Sequence, residues 1–307
     1  MPRFLLSLGC ACFALAAATS LFAQTPAVSA ASAAPGSALS LEQHGQYVFR
    51  VAGCLSCHTA VEKGAVALAG GRALKTPFGD FYSPNITPHP EHGIGRWSLE
   101  DFTAALREGV SPDGYDYYPV FPYTSYTRMR TDDIAALHAY LRAQPSAAAQ
   151  NREHDIPWYV RWRFFNWLWK LVFLDVGVQA EDSARTPVWN RGAYIANALA
   201  HCAECHSPRG LSGAIDKDLR MVGAVDGPEG ESAPNLTSDK ATGIGRWEKI
   251  DLNYYLESGA TPGGDYAGGL MAEVIENGLS FLTGSDREAL VEYLISLPAV
   301  HRPELAH

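Results

Sequence analysis

Two copies of one short motif hold the residues whose types and spacing could do chemistry. Each copy has two cysteines with two residues between them and a histidine directly after the second, at 54–58 and at 202–206. On a helix this spacing places the two thiols one turn apart, with the imidazole beside them. Two such thiols can add to the two vinyl groups of one porphyrin edge while the imidazole binds the iron, which is the attachment chemistry of a c-type haem.

The motif therefore predicts two covalently bound haem c groups. The predicted attachment residues are Cys54, Cys57, Cys202 and Cys205, and the predicted iron ligands are His58 and His206. Other uses of cysteine pairs fit less well. The two pairs of a zinc ribbon are normally separated by about 15 to 20 residues, and a thioredoxin-like redox pair needs a strand–helix–strand setting. Structural disulfides would not explain the histidine that follows each pair.

The elements that must position these residues are themselves repeated. Residues 84–114 align without a gap onto 234–264, with 13 of 31 positions identical, and the string GIGRW occurs in both. Downstream, 131–141 and 284–294 share an apolar spacing that predicts a helix. Each half thus has a helix, the cysteine pair, a long loop rich in glycine and proline, a short helix and a terminal helix. No run alternates with period two long enough to build a sheet, so we predict two all-α, loop-rich units.

Two pairs of polar residues predict where helices begin. Ser40 and Gln43 have the spacing of a capping box before the first helix of the first half. Ser285 and Glu288 have the same spacing before the terminal helix of the second half.

Composition limits the remaining classes of function. The chain has 307 residues, of which 47% are hydrophobic and 19% are charged, as expected of a folded protein with about two domains. A net charge of −9 argues against a nucleic-acid partner, because phosphate contacts need clustered Lys and Arg. Small, loop-rich units bury little apolar surface, so a cofactor in each would help to fill the core.

The N-terminal segment predicts export. Residues 1–23 have a positive start, an apolar run and small residues before a cleavage site near Ala23, as in a secretory signal peptide. A transmembrane anchor is the alternative, because the apolar run approaches spanning length. We expect a periplasmic protein in which residues 24–40 form a flexible linker.

The repeat also sets the expected domain boundaries. The first domain is expected at 41–146, a connector at 147–186 and the second domain at 187–300. Within the connector, 157–180 is dense in Trp and Phe. This segment could pack against both domains, or it could be an exposed site for a partner or a membrane surface, since exposed aromatic patches mark interfaces.

The motifs and their flanking strings resemble the bacterial periplasmic cytochrome c family related to the cytochrome subunits of membrane-bound alcohol and gluconate dehydrogenases. The resemblance covers about residues 41–298 and includes CLSCH, PNITP, YPVFPYTSYTRM, WNRGAYIANALAHCAECHSPRG and MAEVIENGLSFLTGSD. It implies two tandem class I-like cytochrome c domains, each built around one covalent haem. It also implies a periplasmic dehydrogenase as electron donor and a quinone or oxidase downstream. Association with the inner membrane surface is the expectation that the aromatic residues of 157–180 add.

The second axial ligand of the iron differs between the halves. The resemblance implies that Met271 binds the iron of the second haem, and Met/His ligation raises the potential of a haem. The gapless repeat places Phe121 opposite Met271, and a phenyl ring cannot bind iron. Met129 is the remaining thioether of the first half, but it aligns with Leu282, where an apolar core residue is expected. The first iron could therefore be bound by Met129, be bound by another group, or be open.

Other repeated residues have two interpretations each. Asn85 and Asn235 could brace their loops or hydrogen-bond near a haem propionate, and Trp97 and Trp247 could face propionates or pack. The histidines outside the motif have no ligand spacing, and surface or capping roles are expected for them. Among these, His201 precedes Cys202 and could face the haem edge.

These observations favour an electron-transfer protein over a self-contained enzyme. The chain would carry electrons from a dehydrogenase partner to the respiratory chain. The alternative is a haem enzyme, a peroxidase or small-anion oxidoreductase, that acts at an open first haem. The sequence shows no base or nucleophile set around the first motif, which weighs against the alternative.

Overall fold

The computed structural model of this chain describes residues 39–305. The predicted signal peptide at 1–23 and all of the predicted linker except its last two residues lie outside the described residues. Among the helices that are described, none is long and apolar enough to cross a membrane. The described residues cluster as one compact unit, and the expected boundaries of 41–146, 147–186 and 187–300 stay predictions.

Helices joined by long loops build both halves, which confirms the helix-rich character that the sequence predicts. In the first half the elements are α1 (Leu41–Val51), α2 (Cys54–Cys57), β1 (Ala73–Thr76), β2 (Gly79–Tyr82), α3 (Leu99–Glu108), α4 (Tyr123–Tyr126) and α5 (Thr131–Arg142). The connector contributes α6 (Phe164–Phe173). In the second half they are α7 (Pro187–Tyr194), α8 (Lys249–Ser258), α9 (Gly269–Asn277) and α10 (Gly284–Ile295).

A short hairpin departs from the all-α expectation. Strand β1 pairs antiparallel with β2, and Ala73 lies opposite Tyr82. Each strand has four residues, too few for a period-two pattern to stand out in the sequence. Gly79 closes the turn with φ 111°, and a Cβ there would lie 2.5 Å from the carbonyl oxygen of Asp155. The turn therefore needs glycine on both conformational and steric grounds.

One of the two predicted capping boxes is present. The Ser40 hydroxyl accepts from the Gln43 backbone N–H, and the Gln43 side chain accepts from the Ser40 N–H. The predicted box of Ser285 and Glu288 is wrong, because α10 begins two residues earlier and Thr283 caps it. The Thr283 hydroxyl accepts from the Asp286 N–H at 3.2 Å.

The first and last helices of each half pack so closely that glycine is required at the crossing. A Cβ at Gly45 of α1 would lie 2.2 Å from the carbonyl oxygen of Ala136 in α5. A Cβ at Gly192 of α7 would lie 1.9 Å from the carbonyl oxygen of Ala289 in α10. Contacts under 3 Å are not found for real Cβ atoms. These two glycines, which occupy equal places in the repeat, thus set the distance between the paired helices.

The two halves exchange hydrogen bonds where these helix pairs meet. The Tyr47 hydroxyl of the first half donates to Asp286 of the second. The Tyr194 hydroxyl of the second half donates to Asp133 of the first. We call these two bonds the crossed tyrosine pair. One apolar core runs through both halves beneath them.

A basic residue of the same half also holds each of these carboxylates. The Arg191 guanidinium donates to both oxygens of Asp286, at 2.8 and 2.6 Å. His44 Nε2 lies 2.6 Å from Asp133 Oδ1. His44 and Arg191 occupy equal places in the repeat, so the second half has a guanidinium where the first has an imidazole.

Candidate functional site

Both cysteine motifs are folded in the same way. The first forms the single turn α2, and the second forms the tight turn Cys202–Glu204. In each, the backbone N–H of the histidine donates to the carbonyl of the first cysteine, at 3.0 Å for His58 and 2.9 Å for His206. The turn brings the two thiols and the imidazole of each motif to one place, as the spacing predicts.

A left-handed residue opens each turn. Gly53, before the first motif, has φ 67°, and His201, before the second, has φ 38°. Glycine adopts this conformation without penalty, whereas a residue with a Cβ is strained in it. The expected surface or capping role of His201 does not describe its position, because its ring packs against the Tyr126 ring of the other half at 5.4 Å.

The orientation of both histidines is fixed by a backbone carbonyl. His58 Nδ1 lies 2.8 Å from the Pro84 carbonyl oxygen, and His206 Nδ1 lies 2.8 Å from the Pro234 carbonyl oxygen. A carbonyl can only accept, so Nδ1 carries the hydrogen and Nε2 keeps the lone pair that binds iron. Burial lowers the pKa of both imidazoles, which favours this neutral form. The donor set therefore fits a haem iron in each half.

The contacts of Pro84 and Pro234 with the two histidines were not predicted from the sequence. A signal for them was present, because the string Pro-Asn recurs 26 residues after the first histidine and 28 after the second. What the string could not show is that a main-chain oxygen, rather than a side chain, would make the contact.

Burial disfavours the thiolate form of the cysteines. It raises the pKa of Cys54 to about 12, that of Cys202 to about 11 and that of Cys205 to about 12. Redox-active cysteine pairs have a lowered thiol pKa. The surroundings of these cysteines therefore do not favour a redox pair.

The two candidate methionines lie in different settings. Met271 is in the first turn of α9 and is partly buried against the core. Met129 is fully buried just before α5, and its counterpart Leu282 is 4% exposed just before α10. Phe121, opposite Met271 in the repeat, is partly buried beside the rings of Tyr117 and Tyr126 at 5.7 and 5.8 Å. Iron ligation by Met271 and by Met129 stays a prediction.

The repeated asparagines brace loops. The Asn85 amide donates to the carbonyls of Ala147 and Ala149, at 2.8 and 2.9 Å. The Asn235 amide donates to the Val300 carbonyl at 2.8 Å. Each asparagine ties its loop to the segment after the terminal helix of its half, so the first of the two interpretations holds.

The aromatic segment of the connector, 157–180, packs with one side against both halves and exposes its other side to water. Its inner side contacts both halves: Lys170 Nζ donates to the Glu108 carbonyl at 2.8 Å, and Trp169 Nε1 donates to the Ser212 carbonyl at 2.9 Å. Its outer side has large apolar side chains in water, of which Trp158 is 69% and Leu171 is 64% exposed. We call this outer side the aromatic face; it consists of Trp158, Tyr159, Trp162, Phe164, Phe165, Trp167, Leu168, Leu171 and Val172.

The chain is similar to known cytochromes over both halves. The profile of the cytochrome c family matches residues 42–145 and again 190–298. A diheme c-type cytochrome of Cereibacter sphaeroides is 40% identical over 260 residues, which cover 83% of this chain and 86% of that protein.

Subunits of dehydrogenases are similar to a comparable degree. The cytochrome c subunit of the quinone-dependent alcohol dehydrogenase of Gluconobacter oxydans is 38% identical, over 85% of this chain and 55% of the subunit. The cytochrome c subunit of the gluconate 2-dehydrogenase of Pantoea cypripedii is 38% identical, over 84% of this chain and 60% of the subunit. The chain thus spans a little over half the length of these two subunits. With both attachment motifs inside the matched residues, the chain belongs to the cytochrome c family.

Proposed function

We propose that this chain is a periplasmic dihaem cytochrome that carries electrons from a dehydrogenase partner to the respiratory chain. Membership of the cytochrome c family supports covalent haem c and electron transfer. The observation that carries the proposal of two haems is the same imidazole arrangement in each half, with Nδ1 at 2.8 Å from a prolyl carbonyl.

The roles of this chain's own residues follow from that arrangement. Cys54 and Cys57 would hold one porphyrin edge in the first half, and Cys202 and Cys205 would do so in the second. Haem c supplies reversible one-electron exchange at its iron. The prolyl carbonyls keep each imidazole in one tautomer and one orientation, which fixes the ligand whatever the redox state.

The number of haems tests the proposal directly. The chain produced with a c-type haem maturation system is expected to contain two haems by the pyridine haemochrome assay and protein mass. The double variant C54A/C57A and the double variant C202A/C205A are each expected to keep one. A wild-type chain with a single haem, or with none, would contradict the proposal.

A second candidate is an enzyme that acts at an open first haem. The observation that favours it is Phe121, whose phenyl ring cannot bind iron, in the place that Met271 has in the second half. Resonance Raman spectra of wild type and M129L distinguish the two functions. A six-coordinate first haem that loses its thioether in M129L supports the carrier, and a five-coordinate first haem in wild type supports the enzyme.

The dehydrogenase partner is proposed from the relatives. Two of them are cytochrome subunits of an alcohol and a gluconate dehydrogenase. A tagged copy of this chain is expected to copurify with a dehydrogenase subunit, and that subunit's substrate is expected to reduce its haems. A quinone or a terminal oxidase is proposed as the acceptor. Reduction only by unrelated soluble proteins would contradict this assignment.

The aromatic face is proposed as a contact with the inner membrane surface. Trp, Tyr and Phe are enriched where proteins meet lipid headgroups. No acidic residue occurs from 157 to 174, although the whole chain has a net charge of −9, and Arg161 lies within this segment. A segment with basic and without acidic residues is compatible with anionic lipids.

Export to the periplasm is tested by cell fractionation and by sequencing the mature N-terminus, which is expected just after Ala23.

A further inference from the structure

Each half covers the cysteine motif of the other. The hydroxyls of Thr124 and Ser125 in α4 donate to Glu204 Oε1 at 2.9 and 2.7 Å. Glu204 lies between the two cysteines of the second motif. In return, the Asn277 amide of α9 donates to the Ser56 hydroxyl at 3.2 Å, and Ser56 lies between the two cysteines of the first motif. Each attachment turn is therefore held by side chains of the other half.

Tyr126 connects the two turns. Its side chain is buried, and its hydroxyl donates to the Ala52 carbonyl at 2.7 Å, two residues before Cys54. Its ring lies 5.4 Å from the ring of His201, centroid to centroid, with the planes 80° apart. His201 directly precedes Cys202. A continuous series of hydrogen-bonded and packed atoms thus leads from Ala52 through Tyr126 to His201.

The backbone of His201 adds an independent observation. His201 keeps a left-handed conformation, with φ 38°, that its counterpart Gly53 adopts without strain. Strained non-glycine residues persist where their surroundings hold them and are found at functional positions. A Cβ built on Gly53 would lie 3.9 Å from His201 Nε2, so the residues before the two motifs face each other.

We propose that the contact between Tyr126 and His201 is the path by which electrons cross between the two halves. This inference rests on the proposed function, because it requires a haem c in each half. With a haem c held by each half, one electron would pass from a ferrous iron, which would become ferric, to the ferric iron of the other half, which would become ferrous. No bond forms or breaks, no proton moves, and neither Tyr126 nor His201 changes its oxidation state. Packed atoms couple the two sites more strongly than an empty or water-filled gap would.

Intramolecular electron exchange in the protein loaded with both haems tests the path. One haem is reduced by pulse radiolysis, and equilibration with the other is followed optically. H201G, which copies Gly53, and Y126L, which leaves both motifs intact, are expected to slow exchange by about tenfold, because each removes one ring of the packed contact between the halves. Y118L is the matched control, because Tyr118 is a buried tyrosine of a separate apolar cluster with Phe81 and Ile156, and its exchange rate is expected to be unchanged.

The midpoint potentials, the exchange rates of both variants and the haem content complete the test. The two midpoint potentials and the optical spectra are expected to be unchanged in Y126L, which separates a path residue from one that only maintains the haem environment. Unchanged exchange in both variants, with two haems bound, would overturn the path and leave the proposed function standing. Fewer than two haems in wild type would overturn both.

Discussion

At the scale of single residues, the two halves hold His58 and His206 alike but differ in the residue proposed as the second ligand of each iron. The prolyl carbonyls that fix His58 and His206 lie at the same distance in both halves. Met271 has no counterpart thioether, because Phe121 stands opposite it. The two irons are therefore expected to have different potentials, with the second higher where a thioether binds it.

The substitution M271L tests this assignment. Leucine keeps the apolar volume but cannot bind iron, so the ferric thioether charge-transfer band of the second haem is expected to disappear and its potential to fall. M221L is the matched control, since Met221 is buried with φ 64° in a different loop and is expected only to pack. Loss of the band in M221L, with the band retained in M271L, would reverse the assignment.

Residue types and spacing predicted which cysteines and histidines each turn brings together, but not which residues support the turn; haem attachment at them stays a prediction. The cysteines and histidines could be found because their chemistry depends on side chains at a fixed spacing. The contacts from Pro84 and Pro234 use main-chain oxygens, which every residue carries, so no residue type indicates them. The contact of His201 with Tyr126 joins residues that are far apart in the chain. The periodicity of apolar residues describes only local structure, so it cannot predict such a contact.

At the scale of elements, the sequence predicted long helices well and short elements poorly. The Ser40 and Gln43 box was confirmed because side chain and spacing define it. The Ser285 and Glu288 box was wrong because Thr283 offers the same hydroxyl two residues earlier. The hairpin at 73–82 was missed because its strands are four residues long. Local sequence leaves such competing choices open, and packing decides among them.

Helix crossing in each half depends on one glycine. G45A and G192A are each expected to lower the free energy of unfolding by about 1–3 kcal/mol, because the methyl group would overlap a main-chain oxygen of the partner helix. G284A is the control: nothing lies within 4 Å of a Cβ at this first position of α10. Chemical denaturation of the haem-loaded protein measures the change. Equal stability of G45A and G284A would contradict the close crossing of α1 and α5.

The aromatic face, which includes the exposed side of α6 and the residues before it, makes a second prediction at this scale. W162Q and W167Q are each expected to weaken binding to vesicles that contain anionic phosphatidylglycerol, by roughly tenfold, because each removes an exposed apolar ring from the interface. Y254Q is the control, since Tyr254 is 56% exposed on α8, outside this face. Sedimentation with vesicles gives the measurement. If Y254Q weakened vesicle binding as much as the two tryptophan variants, a specific membrane contact would be refuted. If the face captured a protein and did not bind vesicles, it would be assigned to a protein partner.

At the scale of the whole molecule, the repeat predicted two similar halves but not how they join. A single sequence aligned on itself shows which residues are equivalent, and it does not show which of them touch. In the structure, Tyr47 bonds to Asp286 and Tyr194 bonds to Asp133, so equivalent tyrosines reach across to the other half. The connector, which the alignment left without a counterpart, contacts both halves with its inner side.

The junction between the two halves, where Asp286 bonds to Tyr47 and Arg191, is expected to make the free energy of unfolding depend on pH. The Asp286 pKa is lowered by hydrogen bonds and charge from Arg191, against the opposing effect of burial. A carboxyl with a lowered pKa in the folded state stabilises the fold above its unfolded pKa of about 3.9, and that contribution is lost as pH falls through the folded value. D286N is expected to lower the free energy of unfolding by about 1–3 kcal/mol at neutral pH.

The difference between D286N and wild type is expected to shrink below about pH 4. Urea titrations of D286N and wild type at pH 7 and at pH 3 measure the difference in their free energies of unfolding at each pH. D239N is the comparison, because Asp239 also has a lowered pKa, of about 2, but lies within a loop of the second half. A constant difference between D286N and wild type at the two pH values would show that the carboxylate charge does not hold the junction.

The crossed tyrosine pair has a consequence for the ancestry of the chain. When residue i of one unit contacts residue j of the other, and j of the first contacts i of the second, the contact has the form of an isologous dimer interface. Tyr47 with Asp286 and Tyr194 with Asp133 satisfy that rule across the repeat. Two separate copies of one ancestral unit could have associated through the same bonds before any connector existed. Fusion would then have preserved a homodimer within one polypeptide and left each half free to diverge, with arginine at 191 and histidine at 44.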